Sequence, residues 1–387
     1  MNDHQDIFVF KPQDTLFFRD GRPFEQADDG LAAAASLFPP LPSTLGGALR
    51  AALALGMGWD GSSPWGADVI RALGDGPDLT GCPLQLGAPF LMRQEKGTWQ
   101  RLFPAPRCLQ VYKGEGAKKE NKFQCLHVGP TPILTDLGHL HPLSLPRPPS
   151  DAKSVRPATD YWLTDTALAE ILRGQYSADD TNRPVHQDEL WQREHRIGLT
   201  LTVQDRSADP GKLYAASHIR LRDTVVLAQP ASGGPSGGTL PMVISCGGEH
   251  RFASVEKLDR KAAQKLKIPR RQSFTRQNGC HLVCVILLSP RVMPTGWDRP
   301  GPVRGEDGIE ILAAALGDPV AVGGWDSRKG HTGPRPLRAM VPTGSCWYLR
   351  VTDTALKRLD TVLGPENNPD AAHGFGQYTL GTYSLSK

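Results

Sequence analysis

Along most of this chain, apolar residues come in short alternating runs and adopt a helical spacing in only a handful of places. Ile7-Phe8-Val9-Phe10 is the first strand-like run, continued over residues 15–18 after the break at Pro12. Leu45, Ala48, Leu49, Ala52 and Leu53 then keep a helical period that ends at Gly56 and Gly58. Pro39, Pro40 and Pro42 stiffen the approach to this helix, and Ser43 or Thr44 is placed to cap it. Strands are expected over 84–93 and 99–103. A second helix is expected behind a cap at Thr164 or Asp165, with Leu168, Ile171 and Leu172 on one face and a stop at Gly174. Alternation returns over 194–203, and a further extended run spans 213–227.

The last third has the most regular pattern. It predicts a strand (281–289), a helix (308–316), two strands (319–322 and 346–351), a helix (353–363) and a final strand (377–385). That is the ferredoxin-like order, which RNA-recognition (RRM-like) sheets also use. The first half fits the same order with the Ile7 strand, the helix after Ser43, the 84–103 pair, the helix after Thr164 and the strand containing Arg196. The expected fold class is α+β: two ferredoxin-like folds, residues 1–245 and 246–387, with long loop insertions. Residues 113–122 have almost no apolar content, 143–149 are rich in proline, and 232–238 are rich in glycine, so each reads as loop or connector.

Composition narrows the function class. Gly 41 and Pro 34 in 387 residues mean many loops. The net charge of +4 is too mild to imply nucleic acid by itself. No apolar run approaches the ~20 residues of a membrane span, and the start, Met-Asn-Asp-His-Gln-Asp, has neither part of a signal peptide. Seven widely spaced cysteines without a Cys-x-x-Cys argue against a disulfide framework and a zinc site, and fit a reduced cytoplasmic compartment.

Charge is concentrated between Arg251 and Arg276, where nine basic residues face only Glu256 and Asp259. Val255, Leu258, Ala262 and Leu266 give this segment a partly amphipathic helical reading. Arg270 and Arg271 follow, with Phe274 available for stacking. Such a segment suits a phosphate backbone, and it equally suits a solvated charged face. Gly46 and Gly47 weaken the first turn of their helix by up to ~1 kcal/mol each. Two explanations stand: approach of an anion to the helix start, or tight packing on a sheet. Gly374-Phe375-Gly376 and the tip from Gly323 to Gly330, with Trp325 and Arg328, carry the same ambiguity. Catalytic chemistry is sparse. His139 and His141 stand without a metal-ligand partner nearby, and no nucleophile elbow, Walker loop or paired-carboxylate signature occurs.

Several motifs resemble a known family. Phe17-Phe18-Arg19-Asp20-Gly21-Arg22-Pro23-Phe24 and Leu37-Phe38-Pro39-Pro40-Leu41-Pro42-Ser43-Thr44-Leu45-Gly46-Gly47-Ala48-Leu49-Arg50 are joined by Glu194-His195-Arg196-Ile197-Gly198-Leu199, Gly247-Gly248-Glu249-His250-Arg251 and Gly374-Phe375-Gly376. Together they resemble the RAMP subunit of type III-B CRISPR (Cmr) effector complexes that holds the 5′ handle of the guide RNA. The resemblance implies two ferredoxin-like folds and a non-catalytic role without cofactor or metal. Its partners would be the crRNA 5′ handle, the large polymerase/cyclase-like subunit and the repeated backbone RAMP subunit. It makes Arg19, Arg22, Ser43, Thr44, Gly46, Gly47 and Arg50 candidates for handle binding, followed by Arg196, Gly374 and Gly376. The charge pattern adds Arg270 and Arg271. The enzymatic alternative is a metal-independent RAMP endoribonuclease acting on precursor crRNA.

Overall fold

The computed structural model describes residues 5–19, 32–79, 81–114, 120–147, 154–179, 181–201, 208–235, 237–326, 328, 330 and 332–385. Two antiparallel sheets organise them. The strands of the first sheet are β1 (Asp6–Pro12), β2 (Phe90–Glu95) and β3 (Thr98–Pro104). A long hairpin, β4 (Trp191–Leu201) and β5 (Ala208–Leu221), interrupts the series before β6 (Val225–Ser232) and β7 (Phe252–Lys257) continue it, and four shorter strands extend the sheet. Their spatial order is β7-β1-β6-β2-β3. The second sheet holds β8 (Cys280–Leu287), β9 (Ile309–Ala315), β10 (Cys346–Val351) and β11 (Tyr378–Thr382) in the order β11-β8-β10-β9. Each sheet contains the ferredoxin-like order, with the fourth strand beside the first and the third between the first and the second.

Each half keeps one of the two helices that order normally carries. Helix α1 (Pro42–Gly56) follows β1, and no helix separates β6 from β7 among the described residues. Helix α5 (Asp353–Val362) precedes β11, and no helix joins β8 to β9 among the described residues. The expected helix at 308–316 is β9. Ile309 and Ile311 face the core, a bulge falls between Ile311 and Ala313, and the run is only seven residues long. Its alanines and leucines mimic a helix, but a sheet partner was available in β10. The expected strand at 319–322 lies outside this sheet and pairs with Arg338–Met340. The Arg196 strand is likewise not part of the first sheet. It forms half of the β4–β5 hairpin, and the third strand is β6. Pairing of β1 with β7 carries the first sheet to Lys257, past the boundary expected at 245/246.

Alternation assigns two faces to each sheet. Phe8, Phe10, Leu91, Val225 and Leu227 pack against Leu45, Leu49, Ala52 and Leu53 of α1. Each such leucine contributes ~1.5–3 kcal/mol on full burial. On the opposite face, Ile7, Val9, Phe90, Met92 and Val226 are covered by Leu258, Ala263 and Leu266. The basic segment is therefore a lid on the first sheet. It folds as β7, a single turn α4 (Arg260–Ala263) and a loop, in place of the expected amphipathic helix. In the second half, Val283, Val285, Leu287 and Leu349 face α5 through Ala355, Leu359 and Val362. Their alternates Leu282, Cys284, Ile286 and Tyr348 pack on the insertion between the sheets, including Leu168, Ile171 and Leu172 of α3 (Asp165–Leu172). Thr164 caps α3 by accepting a hydrogen bond from Ala167 N at 3.2 Å, as the sequence indicates.

The faces opposite α1 and α5 are thus both occupied. Such a face is the surface on which an RNA-recognition sheet stacks bases.

Candidate nucleic-acid interface

The start of α1 is where loops from both halves converge. The chain enters through Leu41, the backbone cap residue, and Pro42 occupies the first helical position, where its missing N–H costs nothing. Neither Ser43 nor Thr44 is the cap. Both lie in the first turn with their side chains half-exposed. On the second turn, Gly47 is exposed, and a Cβ there would meet nothing within 4 Å. A Cβ on Gly46 would instead stand 2.6 Å from Leu86 Cδ1, so that glycine lets the helix settle on the sheet.

Two depressions meet on this exposed turn. The smaller, about 380 Å³, is lined by Phe18, Arg19, Thr44, Gly47, Gly247 and Gly248. Gly247 has φ +88°, and a Cβ there would come within 2.3 Å of Phe17 O, so this close approach requires glycine. The larger depression, about 950 Å³, runs from Ser43, Thr44 and Gly47 to a wall of Trp59, Trp65, Trp325, Arg328, Arg335 and His373. Thr44 and Gly47 belong to both, which makes one continuous groove.

The aromatic wall is held by specific contacts. Trp59 and Trp65 meet edge to face with centroids 6.0 Å apart, and Trp59 Nε1 donates to Ser63 O at 2.7 Å. Trp325 is 63% exposed, a large apolar face presented to solvent inside a basic rim. Arg328 is ion-paired to Asp326 at 2.7 Å. Its side chain lies over Gly76, where a Cβ would be 2.6 Å from Arg328 Cγ. His373 Nε2 donates to Pro77 O at 2.8 Å, and burial lowers its pKa from the ordinary histidine value.

Arg50, expected to meet phosphate, has another occupation. It is buried, and its Nε and Nη2 donate to Leu73 O and Gly74 O at 2.8 and 3.0 Å, with Nη1 on Gly76 O. Its guanidinium carbon lies 5.1 Å from the Trp65 ring centre. It braces the turn after the short helix α2 (Ala67–Leu73) on which the Trp325 loop rests. Desolvation lowers its pKa, as for any cation placed among carbonyls and rings rather than carboxylates.

The remaining candidates divide by surroundings. Arg19 lines the smaller depression, and Arg22 lies outside the described residues. Arg196 sits in an ionic cluster: Glu194 binds it at 2.6 Å, and Asp14 accepts from Arg196, Arg220 and Arg251 at 3.1, 2.9 and 3.3 Å. The Arg196 hydrogen bond is the largest reason that Asp14 titrates at about 2. This cluster ties the β4–β5 hairpin to the bend that follows β1. Arg270 is ion-paired to Asp360 and lies 5.3 Å from the Tyr378 ring centre, while Arg271 donates to Ser273 Oγ at 3.2 Å. These two belong to the cover of the sheets, away from the groove-lining residues. Gly374 and Gly376, at φ +89° and +74°, are packing glycines. A Cβ on the first would be 2.2 Å from Gly87 O, and on the second 2.3 Å from Asn368 Nδ2. Their loop clasps the two halves and leaves no room for a sugar–phosphate chain there.

His141, half of the His-x-His pair, is buried with Nδ1 2.7 Å from Gly129 O. Sequence reading singles out the Trp325 tip but misses Trp59, Trp65, Arg335 and His373. The available signal was two tryptophans within a Gly-, Ser- and Pro-rich loop that has no apolar period to absorb them.

A family model described as CRISPR-associated protein (Cas_Cmr3) matches residues 8–383. A chain in a cryo-EM structure of the type III-B Cmr-beta complex bound to cognate target RNA is 15% identical, with 96% of each chain covered and a TM-score of 0.48. One from the same complex bound to target RNA and AMPPnP is 15% identical, covering 93% of this chain and 90% of that one, with a TM-score of 0.46. A chain of the Csm3–Csm4 subcomplex of a type III-A interference complex is 10% identical, with coverage of 88% and 92% and a TM-score of 0.34. No curated protein matches.

Proposed function

Because the chain belongs to the CRISPR-associated Cmr3 family and is a RAMP-type subunit of a type III-B effector, we propose that it is the non-catalytic subunit that caps the 5′ repeat-derived handle of the crRNA. The groove at the start of α1 is the observation that carries this reading. It combines three tryptophan rings, a basic rim of Arg19, Arg328 and Arg335, and a glycine-opened helix turn. Single-stranded RNA is held by that combination: rings stack splayed bases, while arginines and backbone N–H groups take phosphates. With the sheet faces opposite α1 and α5 covered, the groove offers exposed rings for such stacking.

In this reading Ser43, Thr44, Gly47 and Arg19 meet RNA directly. Gly46, Arg50, Gly374 and Gly376 hold the groove in shape. Arg196 orients the hairpin. The same subunit docks to the large polymerase/cyclase-like subunit and to the backbone RAMP subunit.

Sequencing the RNA that copurifies with the protein and its neighbours tests the proposal. Uniform 5′ ends derived from a repeat are expected. Incubation with repeat RNA in the absence of metal should leave that RNA intact. Clean cleavage, lost in a single His→Ala variant, would instead establish the endoribonuclease alternative.

A further inference from the structure

A second cavity, of about 230 Å³, lies behind the helix start, between β3, the proline-rich entry to α1 and residues 288–290 of the second half. Pro40, Pro42, Phe103, Trp162, Leu288 and Pro290 give it largely apolar walls, and neither Asp nor Glu lines it. Two arginines do. Arg101 is only 8% exposed, and its Nε has no hydrogen-bond partner. One long bond from Nη1 to Leu266 O, at 3.4 Å, is its polar contact. The guanidinium carbon lies 3.8 Å from the Phe90 ring centre and 5.0 Å from that of Phe103, so rings cover the group while its polar edge stays unsatisfied. Arg107 is half-buried, its Nε also lacks a partner, and it forms no ion pair among the described residues.

A buried guanidinium without a counter-ion is costly, and natural structures seldom leave one so. Burial pushes the Arg101 pKa down with no compensating charge. Hydrophobic packing alone would place an apolar residue here, and β3 supplies Leu102 and Phe103 beside it. We propose that this cavity binds a free small monocarboxylate with a short apolar or aromatic body, its carboxylate accepting from the Arg101 guanidinium with Arg107 as the second cation. Three features select that class. The guanidinium edge matches the two oxygens of a carboxylate. The apolar walls favour a monoanion over a dianionic phosphate, which sheds a larger hydration shell. The volume is below the ~300–1,000 Å³ of pockets that take larger ligands, so a nucleotide is too big. The site stands apart from the RNA groove and does not depend on that reading.

Titration of the full-length protein with phenylacetate, phenylacetamide and inorganic phosphate tests it, read by calorimetry and by tryptophan fluorescence, to which Trp162 in the wall contributes. Phenylacetate should bind saturably, the neutral amide and phosphate at least tenfold more weakly. Arg101→Met, which preserves the stem and removes the charge, should weaken phenylacetate at least tenfold. Should that variant fail to fold, Arg107→Gln, at a half-buried position, should weaken it several-fold with an unchanged circular dichroism spectrum. Equal binding of acid and amide, tighter binding of phosphate, or no binding of phenylacetate overturns the proposal.

Discussion

Gly46 and Leu86 are in contact through a missing side chain: a Cβ on the glycine would lie 2.6 Å from the Leu86 δ1 methyl. Around the Cβ position of the next residue, Gly47, nothing lies within 4 Å. Adjacent glycines in one helical turn therefore answer two different needs. Gly46→Ala forces buried Leu86 to move, an overpacking cost of ~1–3 kcal/mol that offsets the helix-propensity gain. Gly47→Ala has only the gain, ~1 kcal/mol. Urea unfolding should rank Gly47→Ala as the more stable variant, and the opposite order would contradict the packing assignment.

Arg50→Ala should act on stability. Three carbonyls, those of Leu73 and Gly74 buried and that of Gly76 partly so, lose their donor, and a loss of ~2–4 kcal/mol is expected from charged hydrogen bonds of this kind. RNA affinity should fall only as far as the groove wall loosens, and the slope of log affinity against log salt should stay unchanged. A slope lowered by about 0.7, the value for one phosphate contact on a single strand, would return Arg50 to the RNA.

Trp325 gives the converse case. At 63% exposure it contributes little packing, so Trp325→Ala should leave the melting temperature within about 1 °C. Loss of one stacked base should weaken handle RNA by ~1–3 kcal/mol. Filter binding at fixed salt measures this, and unchanged affinity would remove Trp325 from the interface.

Arg335 lines the groove and has no ion pair among the described residues. Arg335→Ala should therefore reduce the salt slope by about 0.7. Arg270→Ala, which removes an arginine already paired with Asp360, should leave the slope unaltered.

Two histidines make stability depend on pH. Burial lowers the pKa of His218 and of His373, and the charges of Arg251 and Arg196 add to the effect at His218. Both are favoured in the neutral form by the fold. As pH falls below the ordinary histidine value of ~6.5, the unfolded chain takes up protons that the folded chain refuses, so stability declines until the lowered folded pKa is passed. Denaturant midpoints should drop from pH 7 towards pH 5. A His218→Asn, His373→Asn double variant should flatten that slope, and an unflattened slope would assign it to other groups.

Local rules read the first strand, the helix from Leu45 to Gly56, the α3 cap at Thr164 and the αβ pairing at the C-terminus directly from the residues, because short-range periodicity and capping decide them. The helix expected over 308–316 fails for the same reason, since the chain there is the strand Ile309–Ala315. An alanine- and leucine-rich run satisfies both periods, and only the partner β10 chose between them. Motif resemblance identified the start of α1 as the centre of the chain. It could not separate Gly46 from Gly47, or Arg19 from Arg50, since those roles depend on what lies across from each side chain. Leu86, Leu73 O and Gly76 O are distant in sequence, and only the folded chain brings them to the helix. The sequence alone thus determined the elements whose period and capping are unambiguous, and it pointed to the start of α1 as the candidate site. Tertiary structure decided which of its residues face solvent, because close approach between remote segments carries no local signature.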